Sequence, residues 1–182
     1  LVPAGKRYPD NRGVETAYSS NNLDMSGNLV LLHFDETTWD GVNYDVLDTL
    51  GRSHSGKIVG TVTSSADAKF GRSAYLNNGY IEIPSATELS GMARLSLEAW
   101  IKPAIGSITG DPSPIISYRE GATSSTNPNY AYTVFAYTGK AIHIDINGHG
   151  NRYNTGYVVQ ENIWQHIAVT FDGPTRVLTL YV

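Results

Sequence analysis

Between residues 95 and 102 apolar and polar side chains alternate without a break, Leu95, Leu97, Ala99 and Ile101 against Ser96, Glu98, Trp100 and Lys102. A β-strand points successive side chains to opposite faces, so this period of two predicts a strand with one face in a core. The pattern recurs where Ile142, Ile144 and Ile146 oppose His143, Asp145 and Asn147. It recurs again where Ile163, Gln165, Ile167, Val169 and Phe171 oppose Trp164, His166, Ala168 and Thr170, with the Ile, Val and Phe sides assigned to the core. Shorter runs at 29–34, 57–63, 74–76, 80–83 and 177–182, each bounded by turn-forming residues or the chain end, add further strand signals. Nowhere does an i, i+3, i+4, i+7 apolar spacing persist over three helical turns. Many short strands with one apolar face each must bury those faces against one another. The expected fold is all-β, an antiparallel two-sheet β-sandwich of the jelly-roll kind.

A chain of 182 residues is long enough for such a core, since a globule of this size buries roughly 70% of its unfolded surface. Its 18 Gly and 8 Pro suit a turn-rich sandwich. The net charge of −4, without runs of like charge, argues against nucleic acid or an anionic membrane as partner. Absence of cysteine excludes disulfides, thiolate zinc sites and thiol nucleophiles. No stretch approaches the ~20 apolar residues of a membrane span, so no membrane insertion is expected. Residues 1–27, rich in Pro, Gly, Ser and Asn, read as a linker or extended arm, and the domain is expected over 28–182. Residues 103–129 read as a long loop of the kind that carries binding surfaces at a sandwich rim.

Five segments, NLVLLHFDE (28–36), LDTLGRSHSGKIVG (47–60), AKFGRSAYLNNGYIEIP (68–84), LSLEAWIKP (95–103) and WQHIAVTFDG (164–173), stand in an order that resembles the laminin-G-like, concanavalin A-like jelly-roll family. The resemblance is to its prokaryotic surface-protein and phage-tail members. It implies a lectin-like, usually non-catalytic sandwich of a secreted or cell-surface protein, often stabilised by calcium. Residues 176–182 resemble a family strand that normally runs into further strands. The sandwich is therefore expected to be C-terminally incomplete, with its last strands supplied by continuation of the chain or by a strand-donating neighbour chain.

Three constellations carry the functional expectation. A sugar site needs aromatic faces for C–H stacking and polar groups for hydroxyls. Trp100, Glu98 and His166 all point away from the inferred core, and Tyr130, Tyr132, Arg152 and Tyr153, with Tyr137, Asn154 and Tyr157, lie in aromatic, amide-rich stretches. A structural calcium ion, if held, is expected at the turns of Asp35, Glu36 and Asp48, although Arg52 stands close after Asp48 where the family has a Ser-Gly-Asn-Gly turn. Glycoside hydrolysis requires two carboxyl groups across the scissile bond, and the strand carrying His143, Asp145 and Asn147 offers one. Asp145 is thus expected to face solvent or a shallow cleft without a catalytic role. The expected function is a non-catalytic carbohydrate-binding or adhesion module whose partner is a glycan or a cell-surface protein. The alternatives are a structural subunit of a surface layer, fibre or phage tail, and a glycan-active enzyme.

Overall fold

A computed structural model describes residues 27–109, 112–119, 130–146 and 151–182. The chain divides into two compact units, Leu1–Ala86 and Thr87–Val182. All of the arm expected at 1–27 except Gly27, and much of the loop expected at 103–129, lie outside the described residues.

In the first unit, β1 (Lys57–Ser65) and β2 (Ser73–Glu82) pair as an antiparallel hairpin. The two short runs at 74–76 and 80–83 are one strand rather than two, because the Asn77–Gly79 stretch between them forms a bulge instead of a turn. The register breaks between Gly60 and Thr61, where Gly60 has φ +76° and a β-carbon would stand 2.5 Å from the Asn78 carbonyl oxygen. Only glycine fits that position without displacing the facing backbone. Ahead of the hairpin, single bridges join Leu32 to Asp48 and Val46 to Gly56, and Val46 is fully buried. The expected strand over 29–34 shrinks to the bridge at Leu32, since the Leu31 N–H donates to the Asp48 carboxylate at 3.1 Å instead of to a strand partner.

The second unit is a two-sheet antiparallel β-sandwich. One sheet has the order β3 (Arg94–Ile101), β8 (Gln165–Asp172), β9 (Val177–Tyr181). The other is a meander of β4 (Ser113–Arg119), β5 (Tyr130–Ala136), β6 (Ala141–Ile146) and β7 (Arg152–Val158). The chain leaves β3, builds this meander, and returns as β8 beside β3 with Leu97 opposite Val169 and Ala99 opposite Ile167. Between the sheets Tyr132, Val134, Ile142, Ile144 and Ile146 pack with Ile167 and Val169, while Leu95, Leu97, Ile101, Phe171, Leu178 and Leu180 close the margins. Alternation therefore assigns the core faces correctly along β3, β6, β8 and β9.

One position departs from that rule. Ile163, placed by its phase on the core side, is half exposed, because β8 begins only at Gln165 and Ile163 belongs to the preceding turn. Gln165 keeps its phase but works as a clamp. Its Oε1 accepts from the Tyr157 hydroxyl at 2.7 Å and the Gln160 N–H at 3.0 Å, and its Nε2 donates to the Gln160 and Ile163 carbonyls at 2.7 and 3.1 Å. A part-exposed polar side chain at the sandwich end thereby has both its amide oxygen and its amide nitrogen engaged.

Candidate functional site

The outer face of the three-stranded sheet carries the residues that alternate against its core. Trp100 stands opposite His166 and Ser96 opposite Thr170, with Glu98 between them across from Ala168. The Trp100 and His166 rings lie 5.2 Å apart and tilted by 45°. Glu98 reaches diagonally so that its Oε2 is 3.5 Å from His166 Nε2. Trp100 is 40% exposed, and the Glu98 side chain 70%. An indole, an imidazole and a carboxylate thus share one solvent-facing surface on rigid strands.

The outward face of the four-stranded sheet differs. Every residue of β6 is buried, including His143 and Asp145, which the alternation pointed to solvent. The cause is Arg152 on the neighbouring strand, directly opposite Asp145. Its Nε and Nη2 donate to the two Asp145 carboxylate oxygens at 3.0 and 3.1 Å, a bidentate ion pair. The guanidinium also lies 4.7 Å from the Phe135 ring centroid and 5.5 Å from that of Tyr137. His143 packs 5.6 Å from Phe135 and edge-on to Tyr137 at 5.5 Å. Its Nδ1 is buried without a hydrogen-bond partner among the described residues. Burial and then the Arg152 charge hold the His143 pKa below its ordinary value, with Asp145 opposing them. Nearby, the Ser117 and Thr133 hydroxyls share a hydrogen bond of 3.0 Å.

In the first unit the three acidic turn residues are occupied by N–H donors. Asp48, buried, accepts from the backbone N–H of Leu31 and Leu50 through Oδ1 and of Arg52 through Oδ2, each at 3.1 Å. Asp35 accepts the Arg72 N–H at 2.9 Å. Glu36 accepts the Leu47 N–H at 3.0 Å and the Trp39 indole N–H at 3.3 Å. A calcium ion needs oxygens converging on a common centre, whereas these carboxylates point at donors. Among the described residues no group of three or more His, Asp or Glu side chains is arranged to hold a metal. Asp35, Glu36 and Asp48 therefore fit turn stabilisation and do not fit a calcium site.

The structure thus gathers Trp100, Glu98 and His166 into one patch and places the remaining candidates elsewhere. Tyr132 is a core residue, 8% exposed, and burial followed by the neighbouring Tyr118 raises its hydroxyl pKa. It is removed from the set of accessible ligand residues. Arg152 is committed to Asp145, Tyr153 is half exposed on the edge strand β7, and the Tyr130 side chain lies outside the described residues. Tyr157 packs against the core with its hydroxyl held by Gln165. The Asp145–Arg152 pairing was missed in the sequence reading. Its available signal was an Asp and an Arg symmetrically placed about the Gly- and Asn-rich stretch that separates β6 from β7.

Residues 76–182, more than half of the chain, match the laminin G family model of the concanavalin A-like lectin/glucanases superfamily. The chain belongs to that family. No curated protein and no solved structure matches it. The matched span takes in β2 from Leu76 onward and the whole described sandwich of the second unit, so the fold and the family agree. Membership of the concanavalin A-like superfamily fits a carbohydrate-binding or adhesion module.

Proposed function

We propose that the chain is a non-catalytic glycan-binding module of a secreted or cell-surface protein, and that the Trp100, His166 and Glu98 patch is its contact surface. The observation that carries this reading is the 5.2 Å tilted pairing of a part-exposed indole with an imidazole, beside an exposed carboxylate. The indole offers a face for the apolar side of a pyranose, and Glu98 and His166 offer an acceptor and a donor for its hydroxyls. The non-catalytic part is supported by Asp145, whose two oxygens are both taken by Arg152, leaving it ill suited to act as a nucleophile.

Glycan-array binding followed by calorimetry on the best ligand, with and without chelator, tests the proposal. Trp100→Ala should weaken binding about tenfold, the equivalent of ~1.4 kcal/mol. Glu98→Gln should weaken it less, and chelator should have no effect. Unchanged affinity in Trp100→Ala would move the site elsewhere.

A further inference from the structure

The β1–β2 hairpin of the first unit carries a second aromatic and charged surface. Lys57 lies directly opposite Glu82, and Val59 opposite Tyr80. Residues two apart on a strand share a face, so Lys57, Val59, Tyr80 and Glu82 line one side of the hairpin. The Lys57 ammonium is 3.3 Å from Glu82 Oε2 and 5.5 Å from the Tyr44 ring centroid. The chemistry remains open to solvent, with Tyr44 46% and Tyr80 57% exposed and the Lys57 and Glu82 side chains 31% and 47%. The Glu82 hydrogen bond first, then the charge effects of Tyr44 and Glu82, raise the Lys57 pKa against the opposing effect of burial.

Tyr44 is held in place by the loop before it. Asp40 Oδ1 accepts the Val42 and Asn43 N–H groups at 2.8 Å each, its Oδ2 accepts the Asn43 amide at 2.6 Å, and Asp45 Oδ2 accepts the Asp40 N–H at 2.8 Å. These bonds bracket Tyr44 on both sides in sequence, and those from Asn43 and Val42 hold the Asp40 carboxyl below its ordinary pKa. The neighbouring Gly41, at φ +71°, sits against Ile58 of β1, which joins the loop to the hairpin. The ring is therefore presented by a pinned turn on one side and a strand pair on the other, at little ordering cost on binding.

We infer that Tyr44, Tyr80, Lys57 and Glu82 form a binding site for a neutral pyranose. Two tyrosine rings supply apolar faces for sugar C–H groups. The ammonium donates to one hydroxyl of a vicinal pair while the carboxylate accepts from its neighbour, a bridge that the 3.3 Å separation of the two charged groups permits. Charge selects neutral over anionic sugars, because Glu82 already balances Lys57 and the chain carries a net −4. The inference shares the glycan reading above but stands on a different surface, one that the proposed Trp100 site does not include.

The test is a site-resolved NMR titration of the intact chain with maltose, lactose and mannobiose, with sialyllactose as the anionic counterpart of lactose. At least one neutral disaccharide should saturably shift the ring signals of Tyr44 and Tyr80 and the terminal signals of Lys57. Tyr80→Ala should weaken that response at least tenfold, Glu82→Gln should weaken it while leaving the hairpin's amide spectrum in place, and sialyllactose should bind no tighter than lactose. Absence of any saturable shift at Tyr44 and Tyr80 with all three neutral sugars would overturn the inference, as would a preference for sialyllactose. Shifts confined to Trp100 and His166 would leave the proposed function standing and refute this second site alone, so the two readings are judged separately.

Discussion

Replacing Arg152 should damage the protein more than replacing its partner Asp145, and the asymmetry follows from who is left behind. In Arg152→Ala a carboxylate only 4% exposed loses both of its charge-assisted bonds. Breaking a buried pair from that side costs about 3 to 5 kcal/mol. Loss of the guanidinium over Phe135 and Tyr137 adds roughly 0.5 to 1 kcal/mol. In Asp145→Asn the shape is kept and the arginine, with a side chain 24% exposed, turns part of its charge to water, so about 1 to 3 kcal/mol is expected. The double replacement Asp145→Leu with Arg152→Met removes both charges and should be less costly than Arg152→Ala alone. Urea unfolding at neutral pH, with the slope checked for constancy, measures all three differences from the wild type.

A second readout separates lost charge from lost packing. His143 is held below its ordinary pKa of 6.5 first by burial and then by Arg152. A base with a depressed folded pKa binds its proton more tightly when unfolded. Its contribution is therefore fully present above pH 6.5 and is lost as pH falls from there through the folded value. Removing Arg152 lifts one of the depressing causes, so the His143 NMR titration should move upward and the pH dependence should shrink. An Asp145→Asn variant as unstable as Arg152→Ala, together with an unmoved His143 titration, would refute the account.

Ile167→Ala, which empties a site 2% exposed between the sheets, should cost about 2 to 5 kcal/mol in urea unfolding, against less than about 0.5 for Glu98→Gln on the outer face. Equal losses at the two would invert the face assignment. Glu161 binds Lys140 at 2.7 Å and the Gly106 N–H at 2.9 Å, and these two bonds, in that order, lower its pKa from 4.5. Its stabilising effect is present above pH 4.5 and lost as pH falls through the depressed folded value, so Glu161→Gln should flatten the acid limb of a stability profile. Asp48→Ala strips three N–H groups of their acceptor and should lower stability by roughly 2 kcal/mol or more. A thermal midpoint for the wild type that rises with added calcium and falls with chelator would show that Asp48 is more than a turn clamp.

The parts of the sandwich that could be read from the sequence are those whose cause is local. Leu95 to Ile101 and Ile142 to Ile146 alternate because each strand has one face in a core, and the code for that face lies within the strand itself. The Trp100, His166 and Glu98 patch was legible for the same reason, once β3 and β8 were taken as neighbours. Two runs misled where a side chain or a bulge replaced the regular ladder: Asp48 captured the Leu31 N–H, and the stretch around Asn78 continued a strand that its composition marked as a turn.

The polar face of β6 was not legible, and the reason is general. Alternation sorts side chains by face but does not say what each face meets. Whether His143 and Asp145 meet water depends on the residue opposite them, and that residue is Arg152, whose guanidinium covers Phe135 and takes both oxygens of Asp145. The same dependence on a partner strand assembles the hairpin surface in the first unit. Lys57 and Glu82 lie far apart in the chain and acquire their joint chemistry only through register. A one-residue slip of β1 against β2 would turn Tyr80 and Glu82 to the opposite face and dissolve the surface. The glycine-dependent bulge at Gly60 pins that register, so a feature that looks purely structural also sets which side chains meet at the inferred site.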